Sequence, residues 1–253
     1  MQQQPVSDQK KLVAPIWHTI TIIVVLLGNS FGTALLASKV TGARSGAITD
    51  KERIFQYAFT IGFEFFLLFL VWIGLRLRQV RFSDLIGGRW TKPEDFLIDV
   101  GIAAAYWVIA ILVLAGLGLA LGLAKGPQAQ EAKKLIEALG PHSLPALGVF
   151  VLLSTVAGFV EEIIFRGYLQ RQFLAITGSA YAAIALQAVV FGAGHGYEGT
   201  RRMILIFVYG MMFGLLAQWR KSLRPGMMAH AWHDSFEGVL LFFIARKGFP
   251  SMP

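Results

Sequence analysis

Three clusters of ionisable residues fall in apolar stretches of this chain, and their types and spacing suit hydrolysis. The first is Glu161-Glu162-Ile163-Ile164-Phe165-Arg166, which closes a long apolar run. On a helix, Glu162 and Arg166 are i and i+4 and share a face, whereas Glu161 points about 100° away and lacks that cation. The spacing divides the labour: a carboxylate held by arginine serves structure, and one without a cation is available as a general base. A blander reading ends both acids in the head-group region, satisfied by Arg166 and Arg171. The second cluster is Phe191-Gly192-Ala193-Gly194-His195-Gly196, where glycines on either side of the histidine leave room for backbone or substrate to approach. Such a histidine also serves as a plain helix cap. The third is His230-Ala231-Trp232-His233-Asp234, with His230 and Asp234 on one helical face and His233 beside it. A carboxylate there fixes the imidazole tautomer, or the pair simply glues helices together. Jointly the clusters suit two chemistries. One is water activated by a carboxylate, with histidine and other polar donors on the oxyanion. The other is a metal held by His195, His230 and Glu161 with one position left for water.

The elements that must carry these residues are membrane helices. The chain has 253 residues, 55% hydrophobic and 15% charged, with mean hydropathy +0.60, outside the ordinary soluble range. About 20 apolar residues span the roughly 30 Å of hydrocarbon in a bilayer. Seven stretches meet that length, at 16–38, 54–75, 96–124, 143–165, 178–195, 202–219 and 226–245, with an eighth crossing if 96–124 breaks near its glycines. The expected fold is therefore all-α, a polytopic transmembrane bundle of seven to eight helices, since lipid admits only helices or closed barrels. Residues 1–15 read as a polar tail and 16–247 as one transmembrane domain, with the chemical motifs in 150–240. The segment 125–142 has the charge spacing of a short amphipathic helix at the interface.

An ionised group at membrane depth is costly, by about 2.5–3.5 kcal/mol on insertion scales, so such groups are read first as functional. The net charge of +8 would suggest nucleic acid in a soluble protein. Here the basic residues flank spans, and anionic lipid head groups are the expected partners instead. Twelve of the Lys and Arg fall on one side of a seven-span topology and eleven on the other, so their total does not orient the chain. Cysteine is absent, which removes disulfides and thiolate ligands.

The order EExxxR, FxxxH, HxxxD in these residues resembles the CPBP (Abi) intramembrane endopeptidases, which include the type II CAAX prenyl proteases. Glu161-Glu162…Arg166, Phe191…His195 and His230…Asp234 carry the resemblance, over about 150–240. It implies hydrolysis of peptide bonds in membrane-associated substrates, CAAX-type prenylated or otherwise lipidated peptides among them, in a bacterial plasma membrane. By similarity, Glu161 is the base for water, His195 positions that water, and His230 with position 234 serves the oxyanion. Glu162, Arg166 and Phe191 support the site. The prenyl proteases carry Asn at the last position; an ionised Asp cannot donate a hydrogen bond, so Asp234 is expected to orient His230, which donates alone. No cofactor is expected on this reading, and zinc is the alternative. A third possibility is a non-catalytic transporter or assembly partner whose buried acids, Glu64 of the second span included, form an ion path.

Overall fold

The computed structural model describes residues 11–43, 48–123 and 125–247. The expected tail at 1–10 lies outside them, and its remainder is no tail. Val13 and Ala14 are buried, and both backbone N–H groups donate to Gln172 Oε1, at 2.7 and 3.2 Å. One long-range amide side chain thus ties down the entry to the first helix.

The described residues form helices α1 (Ile16–Ala43), α2 (Asp50–Arg76), α3 (Phe82–Ile86), α4 (Pro93–Ala120), α5 (Gly126–Leu139), α6 (Leu144–Glu161), α7 (Gln170–Thr177), α8 (Ala180–Gly194), α9 (Thr200–Arg220) and α10 (Arg224–Lys247). A π-helical stretch, Glu162–Leu169, joins α6 to α7, and a single 3₁₀ turn, Gly196–Glu198, follows α8. The helix ends follow local rules. Thr49 and Glu52 form a capping box ahead of α2, Ser143 and Ser179 cap α6 and α8, and Pro93 opens α4. Gly178, at φ +68°, closes α7 in the left-handed conformation that glycine adopts without penalty.

By length and composition, five helical segments among the described residues are long and apolar enough to cross a membrane: 16–33, α2, α4, the rod 144–177 and α9. α8 is apolar but short, and α10, with 24 residues, carries the polar residues of the third cluster. The stretch expected at 96–124 is one unbroken helix, so the eighth crossing does not form there. Gly116 and Gly118 sit inside it; a glycine weakens a helix by only about 1 kcal/mol, less than unpaired backbone in lipid.

Side-chain placement identifies the solvent. α2 turns Phe55, Phe59, Phe66 and Phe69 outward and buries Glu64, Leu67, Val71 and Leu75. That pattern is wrong for water and right for lipid, where the inner face is the one that tolerates polar groups. α6 packs on α10 and α2, α8 on α9, and α4 on α10. The α6–α10 approach is close because Gly158 lies directly against Ala231. α8 and α9 are clamped by Gln187, which donates to the Gly210 carbonyl at 2.8 Å, and α7 is tied to α9 by Gln170, which donates to the Gly214 carbonyl at 3.2 Å. α5 is held by its end: Arg53 donates to the carbonyls of Ala138 and Glu137, which no helical N–H can reach.

Candidate active site

The EExxxR residues do not end their helix. α6, the π stretch and α7 make one rod from Leu144 to Thr177, and the acids lie inside it. The span expected to stop near Arg166 continues because Gln170 and Gln172 find buried partners and do not require the head-group region. In the π stretch the backbone closes i→i+5 bonds, as when the Gln170 N–H donates to the Phe165 carbonyl. Such turns are rare and concentrate at functional sites. All eight of its residues are buried.

Within that buried turn, Glu162 and Arg166 pair at 2.9 Å, both side chains essentially inaccessible. The same Oε1 accepts a hydrogen bond from His230 Nδ1 at 3.1 Å. Glu162 therefore joins the first and third clusters. Gly226 makes room for it, since a Cβ there would come within 3.0 Å of Glu162 Oε2. Aromatic rings surround Arg166 and His230. The Arg166 guanidinium lies 4.5 Å from the Phe191 ring centroid and 5.4 Å from that of Phe213, and Tyr209 and Phe213 pack against the His230 imidazole. Each such cation–ring contact contributes about 0.5–2 kcal/mol. Phe191 is thus a platform for arginine as well as a neighbour of His195.

With Nδ1 donating to Glu162, His230 directs Nε2 at Glu161 Oε2, 3.6 Å away, and at Asp234 Oδ2, 3.7 Å away. The Asp234 separation exceeds hydrogen-bond range. It is Glu162, not Asp234, that fixes the imidazole. A helical wheel pairs His230 with Asp234, because it registers neighbours within one helix only; the partner that wins is on another helix 68 positions away.

Glu161 faces a cavity of about 110 Å³ with Glu64, Asn29, Thr60, His195 and Tyr197 on its polar walls. His195 caps α8 and donates from Nδ1 to the Phe191 carbonyl at 2.9 Å. Its Nε2 is left to serve as the second polar atom of the ring. Glu161, Glu162, Arg166, His230 and Asp234 are therefore contiguous, with Phe191 beneath them and His195 on the same cavity as Glu161. The sequence reading missed Glu64 as part of this site, the π turn, and the small residues Gly158 and Gly226. His233 lies outside the contiguous set, stacked on Tyr209. Among the described residues no three His, Asp or Glu side chains are arranged to hold a metal ion.

A polytopic helical membrane protein that gathers two glutamates, an arginine and histidines at one small cavity and its edge holds groups of the kind acid–base chemistry uses. Comparison with known families narrows the class: residues 143–236 match the family described as type II CAAX prenyl endopeptidase, Rce1-like. The match begins at the cap of α6, ends within α10, and contains all three motifs. The resemblance read from those motifs is borne out over that segment, 94 of the 253 residues, which is similar to the CAAX-type membrane proteases. No curated protein and no solved structure matches the chain.

Proposed function

We propose that the protein is an intramembrane endopeptidase in which Glu161 activates water against a peptide bond of a membrane-bound substrate, prenylated CAAX-type peptides included. The observation that carries this reading is the asymmetry of the two acids. Glu162 is fully buried with Oε1 held by both Arg166 and His230, whereas Glu161 lines the cavity with no arginine or lysine on its walls and the Nε2 of His230 3.6 Å away. A base must have access to its substrate, and of the two motif acids Glu161 is the one on the cavity.

In the proposed reaction the Glu161 carboxylate takes a proton from water while the water oxygen bonds to the scissile carbonyl carbon. The carbon–nitrogen bond then breaks, and the proton passes to the leaving amine. His195 Nε2 orients the water. His230 faces the carbonyl oxygen with Nε2; since Nδ1–H is committed to Glu162, it donates there as the doubly protonated ring, with Glu161, Glu162 and Asp234 supplying negative charge within 4 Å. Removing a preorganised oxyanion donor lowers kcat by about 10²–10³.

The test is Glu161→Ala in purified protein assayed on lipidated and unlipidated membrane peptides, alongside peptides that accumulate uncut in membranes of the same variant. Activity should vanish while the thermal transition is retained. Cleavage at the wild-type rate by Glu161→Ala would refute the assignment.

A further inference from the structure

Glu64 has no place in the reaction just described, yet it is buried in the same cavity. It stands on α2, near the middle of a 27-residue membrane helix, with 6% of its surface accessible. Its Oε2 has no hydrogen-bond partner among the described residues. Among those residues no arginine or lysine lines the cavity it faces, and the other carboxyl on its walls is that of Glu161. A carboxyl in that position would be a net penalty to a protein that used it only for packing.

The cavity explains it. At about 110 Å³ it has room for several water molecules, and a buried water needs two to four polar partners. Leu26, Phe63, Leu67 and Phe165 make one wall apolar, while Glu64, Glu161, His195, Asn29, Thr60 and Tyr197 supply the polar groups. Glu64 and Glu161 come from different helices, α2 and α6, which pack against each other. Two carboxyls from separate elements, facing one water-sized space, bracket whatever occupies it.

We propose that Glu64 is a positioning residue that holds the hydrolytic water from α2, on the same cavity as Glu161 of α6, setting the direction in which its oxygen presents a lone pair to the substrate. This rests on Glu161 being the base. Glu64 takes no proton in the reaction and touches no substrate atom; it acts through the water. A hydrogen-bonding side chain of similar length should suffice, and an apolar one should not.

The experiment compares Glu64→Gln, Glu64→Leu and Glu64→Asp with wild type and Glu161→Ala, measuring kcat, KM and the thermal transition in detergent. Glu64→Leu should lower kcat by about 10- to 100-fold, the loss expected from misplacing a reactant by about 1 Å, with KM unchanged. Glu64→Gln should restore most of the rate. A purely structural role would move the thermal transition and not split kcat from KM. If Glu64→Leu fails to fold, Glu64→Asp decides, with a several-fold lower kcat at unaltered KM expected and wild-type kcat refuting the proposal. An inactive Glu161→Ala beside a fully active Glu64→Leu would overturn this inference alone; an active Glu161→Ala would overturn the proteolytic reading and this inference with it.

Discussion

Gly158 offers the sharpest test of how the two halves of the site are held together. It lies one turn before Glu162, and a Cβ built on it would come 2.5 Å from the Ala231 nitrogen, 2.8 Å from its Cα and 2.9 Å from its Cβ. Ordinary van der Waals separation begins at 3.4 Å, so Gly158→Ala requires α6 and α10 to separate locally by about 1 Å. Backbone, unlike a flexible side chain, cannot swing aside. Ala231 adjoins His230, whose 3.1 Å bond to Glu162 would stretch to about 4 Å, beyond hydrogen-bond range. Overpacking of this kind destabilises by about 1–3 kcal/mol, and the strained bond adds roughly 1 kcal/mol. In the absence of a clash the sign reverses, because alanine is favoured over glycine inside a helix by about 0.8–1 kcal/mol. The reaction should slow by about 100-fold, as for a 1 Å misplacement. Thermal unfolding in detergent and kcat on a cleavable membrane peptide read both effects. Ala231→Gly on the same background should recover only part of the loss, since the new methyl still meets the main chain at position 231. A Gly158→Ala protein that is more stable than wild type and equally active would refute the close-packing argument.

Glu162→Ala should cost about 3–5 kcal/mol, because it strands Arg166 in a buried site, and should be seen as a lost folding yield before any change in KM. Gln172→Ala removes the acceptor for Val13 and Ala14 and the donor to Ala14 and Thr19; limited proteolysis should then cut the N-terminal segment ahead of α1 while the rest of the chain stays resistant. Arg53→Ala leaves the last carbonyls of α5 without their donor, a loss of about 1–2 kcal/mol, detectable as faster hydrogen exchange in α5. Strong chelators should leave hydrolysis intact; loss of activity that zinc restores would favour the metal alternative over water activated by Glu161 alone.

The membrane helices were legible because lipid enforces length and composition with little regard to context. Each expected stretch coincides with a helix to within a few residues, apart from the rod that runs on to Thr177 and the unbroken α4. The pairing of Glu162 with Arg166 was legible for a similar reason, since it lies within one helix. What could not be read is what depends on helices meeting. His230 has an acid four residues along its own helix, yet its hydrogen bond goes to Glu162 in the rod that continues α6. Glu64 looked like a member of a separate ion path until α2 was placed against α6. The π turn has no compositional signal at all, and Gly158 is one of 27 glycines, distinguished only by what faces it.

The π turn also sets a constraint on how this chain can change over time. An α-helix turns about 100° per residue, so wider winding that absorbs one extra residue lets the helix after it keep the phase it would have had without that residue. Upstream of the turn, Gly158 and Glu161 keep register with α10 and the cavity; downstream, Gln170 and Gln172 keep register with α9 and the segment ahead of α1. Losing one residue between 162 and 169 would let the rod revert to ordinary α winding with both sets still facing their neighbours, whereas losing one from the α winding on either side would turn one set about 100° away. A single-codon deletion within the stretch should therefore spare the fold and remove only the local geometry of the turn, while the same deletion in 145–160 should not be tolerated.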